Sequence, residues 1–284
     1  MVDYRQSRLS FNSGAPHPYD ALVAIQNLWN EADPGVITGV LFAALLSAYL
    51  VGLMIGRNRP QDSQSSVGSR ITDSTLALMG LLLGFSFAMA LSKYDRRRDM
   101  VVNDANAIGD FYTCVCMLKD SPARAELQNV TREYVMYRLE LGRGALVGAE
   151  VKLTAMERIA GMHQHMTDLV RQAINDNTAV AMPLVNTLNE VTSAHTARAM
   201  AIHDRLPLSI VMLLFLATAV SMGLLGWQQG AAGKKFCAST LWLVILIIAS
   251  LYVTLDLNQP QRGLIRETQA PLEWLLRSMG TGTG

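Results

Sequence analysis

Ser74–Arg98 reads STLALMGLLLGFSFAMALSKYDRRR. From Ser74 to Ser92 there is no charged side chain, and then Lys93, Asp95, Arg96, Arg97 and Arg98 arrive together. A helix rising 1.5 Å per residue needs about 20 residues to cross about 30 Å of hydrocarbon. The charge-free stretch has that length, whereas a buried helix of a soluble domain is usually shorter and keeps a polar side. Lipid offers the backbone no water, so the stretch is expected to be a helix.

Three more windows lack charge: Val36 to Ile55, Leu206 to Trp227, and Phe236 to Leu255. Half of the 284 residues are apolar, and the charged ones crowd between these windows. The expected fold is all-α: an integral membrane protein with four transmembrane helices and a helical extramembrane bundle inserted between the second and third. In residue terms this gives an N-terminal arm over 1–35 and spans over 36–56 and 74–92. The extramembrane domain follows over 93–205, then spans over 206–227 and 236–257, and a C-terminal segment over 258–284. The arm is polar and holds Pro16, Pro18 and Pro34, unlike a signal peptide with its early apolar core. Residues Ala21 to Leu28 suggest a short amphipathic helix on the membrane surface.

Between the first two spans, Arg57 to Asp73 reads as a flexible connector. Beyond Arg98 no breaker appears. Val101, Val102, Ala105, Ile108, Phe111, Tyr112 and Val115 recur at helical spacing, so the second span is expected to project out of the bilayer. Ser121 followed by Pro122 predicts a helix start. Leu127, Val130, Tyr134, Tyr137 and Leu141 continue that helix on one face until Gly142 and Gly144 weaken it. A further helix is expected over Glu150 to Asn175, and Asp176 to Thr178 suggests a turn. Another begins near Ala179 or Pro183 and runs towards the third span, where Pro207 marks the water boundary. Two helices of the insert are expected to continue into membrane helices.

A net charge of +1 gives no sign of a nucleic-acid partner. Cys114, Cys116 and Cys237 make an odd set with no paired framework, and they read as small buried hydrophobes. His163 and His165 lie on different faces of a helix, and His195 and His203 are two turns apart. None of them shows the four-residue spacing with a carboxylate that a helical metal site needs. No nucleophile elbow, phosphate loop or dinucleotide fingerprint is present. The expectation is a protein that is not an enzyme, with no catalytic residues, metal or cofactor.

Two segments rise above background. On the second span, Ala77, Leu81 and Phe85 share a face, so symmetric copies around an axis would build an apolar constriction that gates by dewetting. Gly80 and Gly84 form a small-xxx-small pair for close helix packing. Lys93, Arg96, Arg97 and Arg98 would then form a basic pore mouth that concentrates anions. The same residues also fit a packing face followed by a cluster that binds anionic lipid headgroups. The second segment follows the last span, where Asp256, Pro260, Arg262 and Gly263 define a sharp turn. Arg262 and Arg266 are the candidate partners of Asp256. Leu272, Trp274, Leu275 and Leu276 then suggest a short amphipathic helix on the membrane or the insert.

At these two segments the chain resembles a family of bacterial membrane proteins classed as bestrophin-like. Leu82-Leu83-Gly84-Phe85, Tyr94-Asp95-x-Arg97 and Asn103-Asp104-Ala105-Asn106-Ala107-Ile108-Gly109 are similar to its central motif. Leu255-Asp256, Pro260, Arg262-Gly263-Leu264-Ile265-Arg266 and Pro271-Leu272 look like its closing motif. A further likeness to bestrophins proper implies a pentameric chloride channel with the second helices lining the pore and Ala77, Leu81 and Phe85 at the neck. The acidic calcium-binding segment of bestrophins has little counterpart here, where Asp256 is followed mostly by Asn, Gln, Pro and Arg.

The resulting expectation is a homo-oligomeric anion channel in the bacterial inner membrane, with the lipid bilayer and small anions as partners. The alternative is a non-conducting scaffold or sensor whose helical domain binds a partner. Basic residues flank both sides of the membrane without clear bias. The resemblance favours a cytoplasmic helical domain.

Overall fold

A computed structural model describes residues 34–58, 65–142, 149–176, 180–233, 238–258, 265 and 267–281. The expectations for the N-terminal arm, for Gly144, Asn177, Thr178 and Cys237, and for Pro260, Arg262, Gly263 and Arg266 lie outside these residues. Among the described residues there are eight α-helices and no strand. They are α1 (Pro34–Arg57), α2 (Ser65–Cys116), α3 (Pro122–Gly142), α4 (Ala149–Asp176), α5 (Ala181–His203), α6 (Leu208–Ala231), α7 (Ala238–Leu257) and α8 (Ala270–Thr281). Four of them, α1, α2, α6 and α7, are long and apolar enough to cross a membrane.

The 52 residues of α2 correspond to about 78 Å, more than twice the ~30 Å of hydrocarbon. A helix of that length is far longer than any bilayer crossing needs. At its other end α2 begins at Ser65 and takes in much of the expected connector. Threonine hydroxyls there are satisfied inside the helix: Thr72 Oγ1 donates to the Gly68 carbonyl at 3.0 Å and Thr75 Oγ1 to that of Ile71 at 2.8 Å. The indole of Trp227 covers Gly68.

Two of these long apolar helices, α1 and α6, are held together by a glycine seam. A Cβ at Gly52 or Gly56 of α1 would overlap the carbonyl oxygen of Gly223 or Trp227 on α6. One at Gly226 or Gly230 of α6 would overlap that of Tyr49 or Leu53 on α1. The two backbones therefore touch, which is how helices gain packing energy where lipid removes any hydrophobic drive between them. Leu45, Tyr49, Leu53, Met79, Leu214, Met222, Val244, Ile247 and Leu251 form the core beside the seam. The Tyr49 hydroxyl donates to Gln229 at 2.6 Å and Gln229 in turn to Thr240 at 2.7 Å, so the polar groups there are satisfied.

A second core surrounds the far half of α2. Ile108, Phe111 and Val115 of α2 are fully buried against Leu127 and Tyr134 of α3, Met166 of α4, Leu184 of α5 and Leu272 and Met279 of α8. Ser121 caps α3 as its sequence predicts, accepting the Arg124 N–H at 3.2 Å. The amphipathic tail helix α8 lies on these helices.

The junction between α5 and α6 departs from expectation. Instead of one continuous helix, residues 204–207 break the chain, with Asp204 and Pro207 extended. Pro207 has no N–H to offer a helix and pushes its predecessor out of the α region. Asn258 Oδ1 at the end of α7 accepts the Leu206 N–H at 2.7 Å, so the broken ladder finds a partner from another helix.

Candidate functional site

The α2 face singled out by its spacing is uncovered in the single chain. Ala77 is exposed, and Leu81 and Phe85 are 54% and 61% exposed. Of the four membrane-crossing helices α2 has the least buried apolar window, 17%. A Cβ placed on Gly80 or Gly84 would meet nothing within 4 Å, so these glycines pack α2 against no other described helix.

The basic run splits by helical phase. Lys93 pairs with Asp204 of the α5–α6 break, and Arg96, whose side chain is largely exposed, reaches the same carboxylate at 3.9 Å. Arg98 is exposed. Arg97 points the other way: it is buried, its Nε donates to Glu267 at 2.8 Å, and its Nη2 donates to the Leu257 carbonyl at 2.7 Å. Arg97 is thus no part of an open basic mouth; it fastens α2 to the end of α7 and to the strand of chain leading into α8. Asp256, also buried, accepts the Ile265 N–H at 2.9 Å.

A polar junction lies inside the second core. Asp104 of α2 is fully buried, and its Oδ2 accepts from Arg138 Nη2 of α3 at 2.5 Å and from Arg198 Nη1 of α5 at 2.8 Å. Arg198 Nη2 also donates to Gln269 at 2.7 Å. The other Arg138 nitrogen, Nη1, lies 2.8 Å from Nδ1 of His195. A guanidinium only donates, so that Nδ1 is the acceptor and His195 carries its proton on Nε2 and is neutral. His163 of α4 stands edge-on to His195 with ring centroids 5.3 Å apart, and 5.1 Å from the ring of Tyr134. Burial, then the charge of Arg138, pushes both histidines below the ordinary imidazole value, His195 to about 4. Burial also drives the Tyr134 phenol well above its usual range and lowers the Arg198 guanidinium. Four helices and the C-terminal segment meet at or beside this junction.

Sequence reasoning singled out none of these roles. It met Asp104 only inside a family motif, and weighed His163 with His165 and His195 with His203 for a metal site, never His163 with His195. Their phase was the available signal. Leu184, Leu188, Val191, His195 and Arg198 succeed one another at four- and three-residue steps, as do Leu127, Thr131, Tyr134 and Arg138. Each polar group occupies a position in the apolar stripe of its helix, where an unpaired charge would be very costly.

Among the described residues no group of His, Cys, Asp or Glu is placed to hold a metal ion. The Nδ1 of His195 faces an arginine, and Nε2 of His165 lies 3.5 Å from Glu126 at the surface. The arrangement can hold helices together and respond to protons.

The model of the bestrophin-like domain matches residues 37–272, from the start of α1 into α8. No curated protein sequence and no solved structure gives a match. The matched region takes in all four long apolar helices, the exposed face of α2 and every member of the Asp104 junction, and the chain belongs to the bestrophin-like family.

Proposed function

We propose that the protein is an oligomeric ion channel that passes small anions, with α2 of each copy lining the axis. The observation that carries this is the uncovered face of α2, on which Ala77, Leu81 and Phe85 stand one turn apart. Membership of the bestrophin-like family relates the chain to anion channels. Copies related by rotation would set these residues in stacked rings, with Phe85 and Leu81 narrowest, and a narrow apolar ring closes a pore by excluding water. Gly80 and Gly84, which pack on nothing within the chain, allow neighbouring α2 helices to approach closely. Arg98 and Arg96 supply the positive potential at the mouth. On this reading the chain resides in the inner membrane with the α3–α5 bundle in the cytoplasm.

The test is chloride flux from liposomes holding the purified protein, with Phe85→Ala alongside. Flux that rises in the variant supports a constriction at that ring. A folded oligomer that passes no chloride in either form moves the reading to a scaffold or sensor. That reading has its own support in Met136, Leu153, Met156 and Met182, apolar side chains exposed on the bundle helices.

A further inference from the structure

The buried charges of the bundle do more than fill space, because one of their hydrogen bonds exists only while a histidine is neutral. Arg138 Nη1 can reach His195 Nδ1 at 2.8 Å only if that nitrogen keeps its lone pair. Protonation of the imidazole would set an N–H against a guanidinium N–H, turning a hydrogen bond into a contact between two cations. We propose that His195 and His163 form a proton-operated latch: acid makes them cationic, Arg138 is displaced, and the Asp104 junction that holds α2 to α3 and α5 opens.

The groups facing His195 set the balance from every side. Asp104 faces it from α2, Arg138 from α3, His163 from α4 and Arg198 from its own helix. Tyr134 of α3 packs on His163, and the neutral Gln269 takes the far side of Arg198. At neutral pH the junction holds two guanidiniums to one carboxylate. Glu267 adds a more distant negative charge on Arg198, but the first proton makes three cations around the one carboxylate they share, in a half-buried space, and the second makes four.

The acid state also has bonds to form. Asp104 Oδ1, Arg138 Nε, Tyr134 Oη and His163 Nε2 are buried and have no partner in the neutral arrangement. A carboxylate with one oxygen carrying two arginines and the other idle can accept from an imidazolium by turning away from Arg138. Junctions with a full complement of bonds resist such exchange; a partly satisfied one offers a second arrangement at small cost.

The direction of the response follows from the sign of the shifts. Both histidines are held below their ordinary value of 6.5, His195 at about 4, so the neutral, latched form is whole above about 6.5. Acidification below that value favours states that take up protons, and the latch is lost as pH falls towards 4. Because Asp104 and the α2 face are on one unbroken helix, release at Asp104 frees the far half of the helix that carries Phe85. That last consequence, and only that, rests on the channel reading.

The experiment is amide hydrogen exchange on the full-length protein in lipid nanodiscs, from about pH 7.5 to about pH 4, with rates normalised for intrinsic chemistry. Peptides covering Asp104 to Val115 and Val191 to Arg198 should lose protection by about tenfold or more as pH falls, the factor that a one-unit proton linkage gives. His195→Asn places an amide oxygen where Nδ1 accepts and cannot be protonated, so it should lower the midpoint by about one pH unit or more. His165→Asn, on the exposed side of α4, should leave the midpoint in place. If His195→Asn does not fold, His163→Gln should make the transition shallower by removing one of two linked protons. Protection in the native protein that does not change with pH overturns the latch. So does a midpoint unmoved by His195→Asn, or a slope unmoved by His163→Gln. Chloride flux measured on the same preparations separates the two readings: a pH-dependent latch with no flux retains the latch and removes the channel.

Discussion

Asp104→Asn is the perturbation that most directly tests the polar junction. The amide matches the carboxylate in shape but removes the charge that two buried guanidiniums share. Hydrogen bonds to a charged group are worth about 1.5–3 kcal/mol each, and neutral ones about half as much. Asp104 Oδ2 accepts two, from Arg138 and Arg198, so the substitution forfeits about 1.5–3 kcal/mol in bonding. Mutual repulsion of the two arginines adds to this. An independent route gives a similar figure: removing one partner of a buried ion pair costs about 3–5 kcal/mol. Taking about 3 kcal/mol, and about 2–4 °C per kcal/mol for a chain of this size, the bundle should melt about 6–12 °C lower. Thermal unfolding in mild detergent, followed by circular dichroism, measures it. A companion variant carrying Asp104→Leu, Arg138→Met and Arg198→Met removes the whole set, and buried charges replaced together are often close to neutral. A fall of less than about 1 kcal/mol for Asp104→Asn would mean that water reaches the junction, and the reasoning from burial would be refuted.

Gly226→Ala sets a Cβ over the Tyr49 carbonyl and 3.0 Å from the Leu53 nitrogen. It should part α1 from α6 at a cost of about 1–3 kcal/mol, read as a lower melting temperature in detergent. Glu267→Gln leaves the buried Arg97 with the Leu257 carbonyl and a neutral partner, and should increase proteolysis of the segment before α8 without altering membrane insertion. Above about pH 6.5 the stability of the bundle should be flat. Below it, stability should fall with acid, because His195 has its folded value depressed to about 4. The slope should stay under the ~1.4 kcal/mol per pH unit of one fully linked proton, since the His195 ring is half-buried and partly screened by solvent.

The four long apolar helices were legible because a charge-free run of fixed length needs no knowledge of neighbours. The projecting half of α2 was legible for a related reason: Val101, Ala105, Ile108, Phe111 and Val115 keep helical phase through the charges that follow Ser92. Two other features were illegible for opposite reasons. The seam between Gly52, Gly56, Gly226 and Gly230 is pairwise information, since neither helix alone says which glycines will meet a backbone. Gly80 and Gly84 make the same sequence pattern and touch nothing within the chain. At Pro207 the sequence marked a boundary, but the break reaches back to Asp204 because Asn258, far along the chain, takes the Leu206 N–H.

The basic run shows why charge clusters mislead when they are read as surfaces. Four positive side chains within six positions on a helix cannot share one face, since successive positions turn by about 100°. One of them must look inward, and Arg97 does, towards Glu267 and the end of α7. Seven positions further on, two helical turns, the same side of α2 carries Asp104. A cation and then an anion on the inner side of one helix are matched by an anion before α8 and then two cations from α3 and α5. This alternation lets one long helix bind partners on both sides of the α5–α6 break and remain rigid between them. A proton taken up beside Asp104 therefore acts on a lever whose other arm carries Leu81 and Phe85.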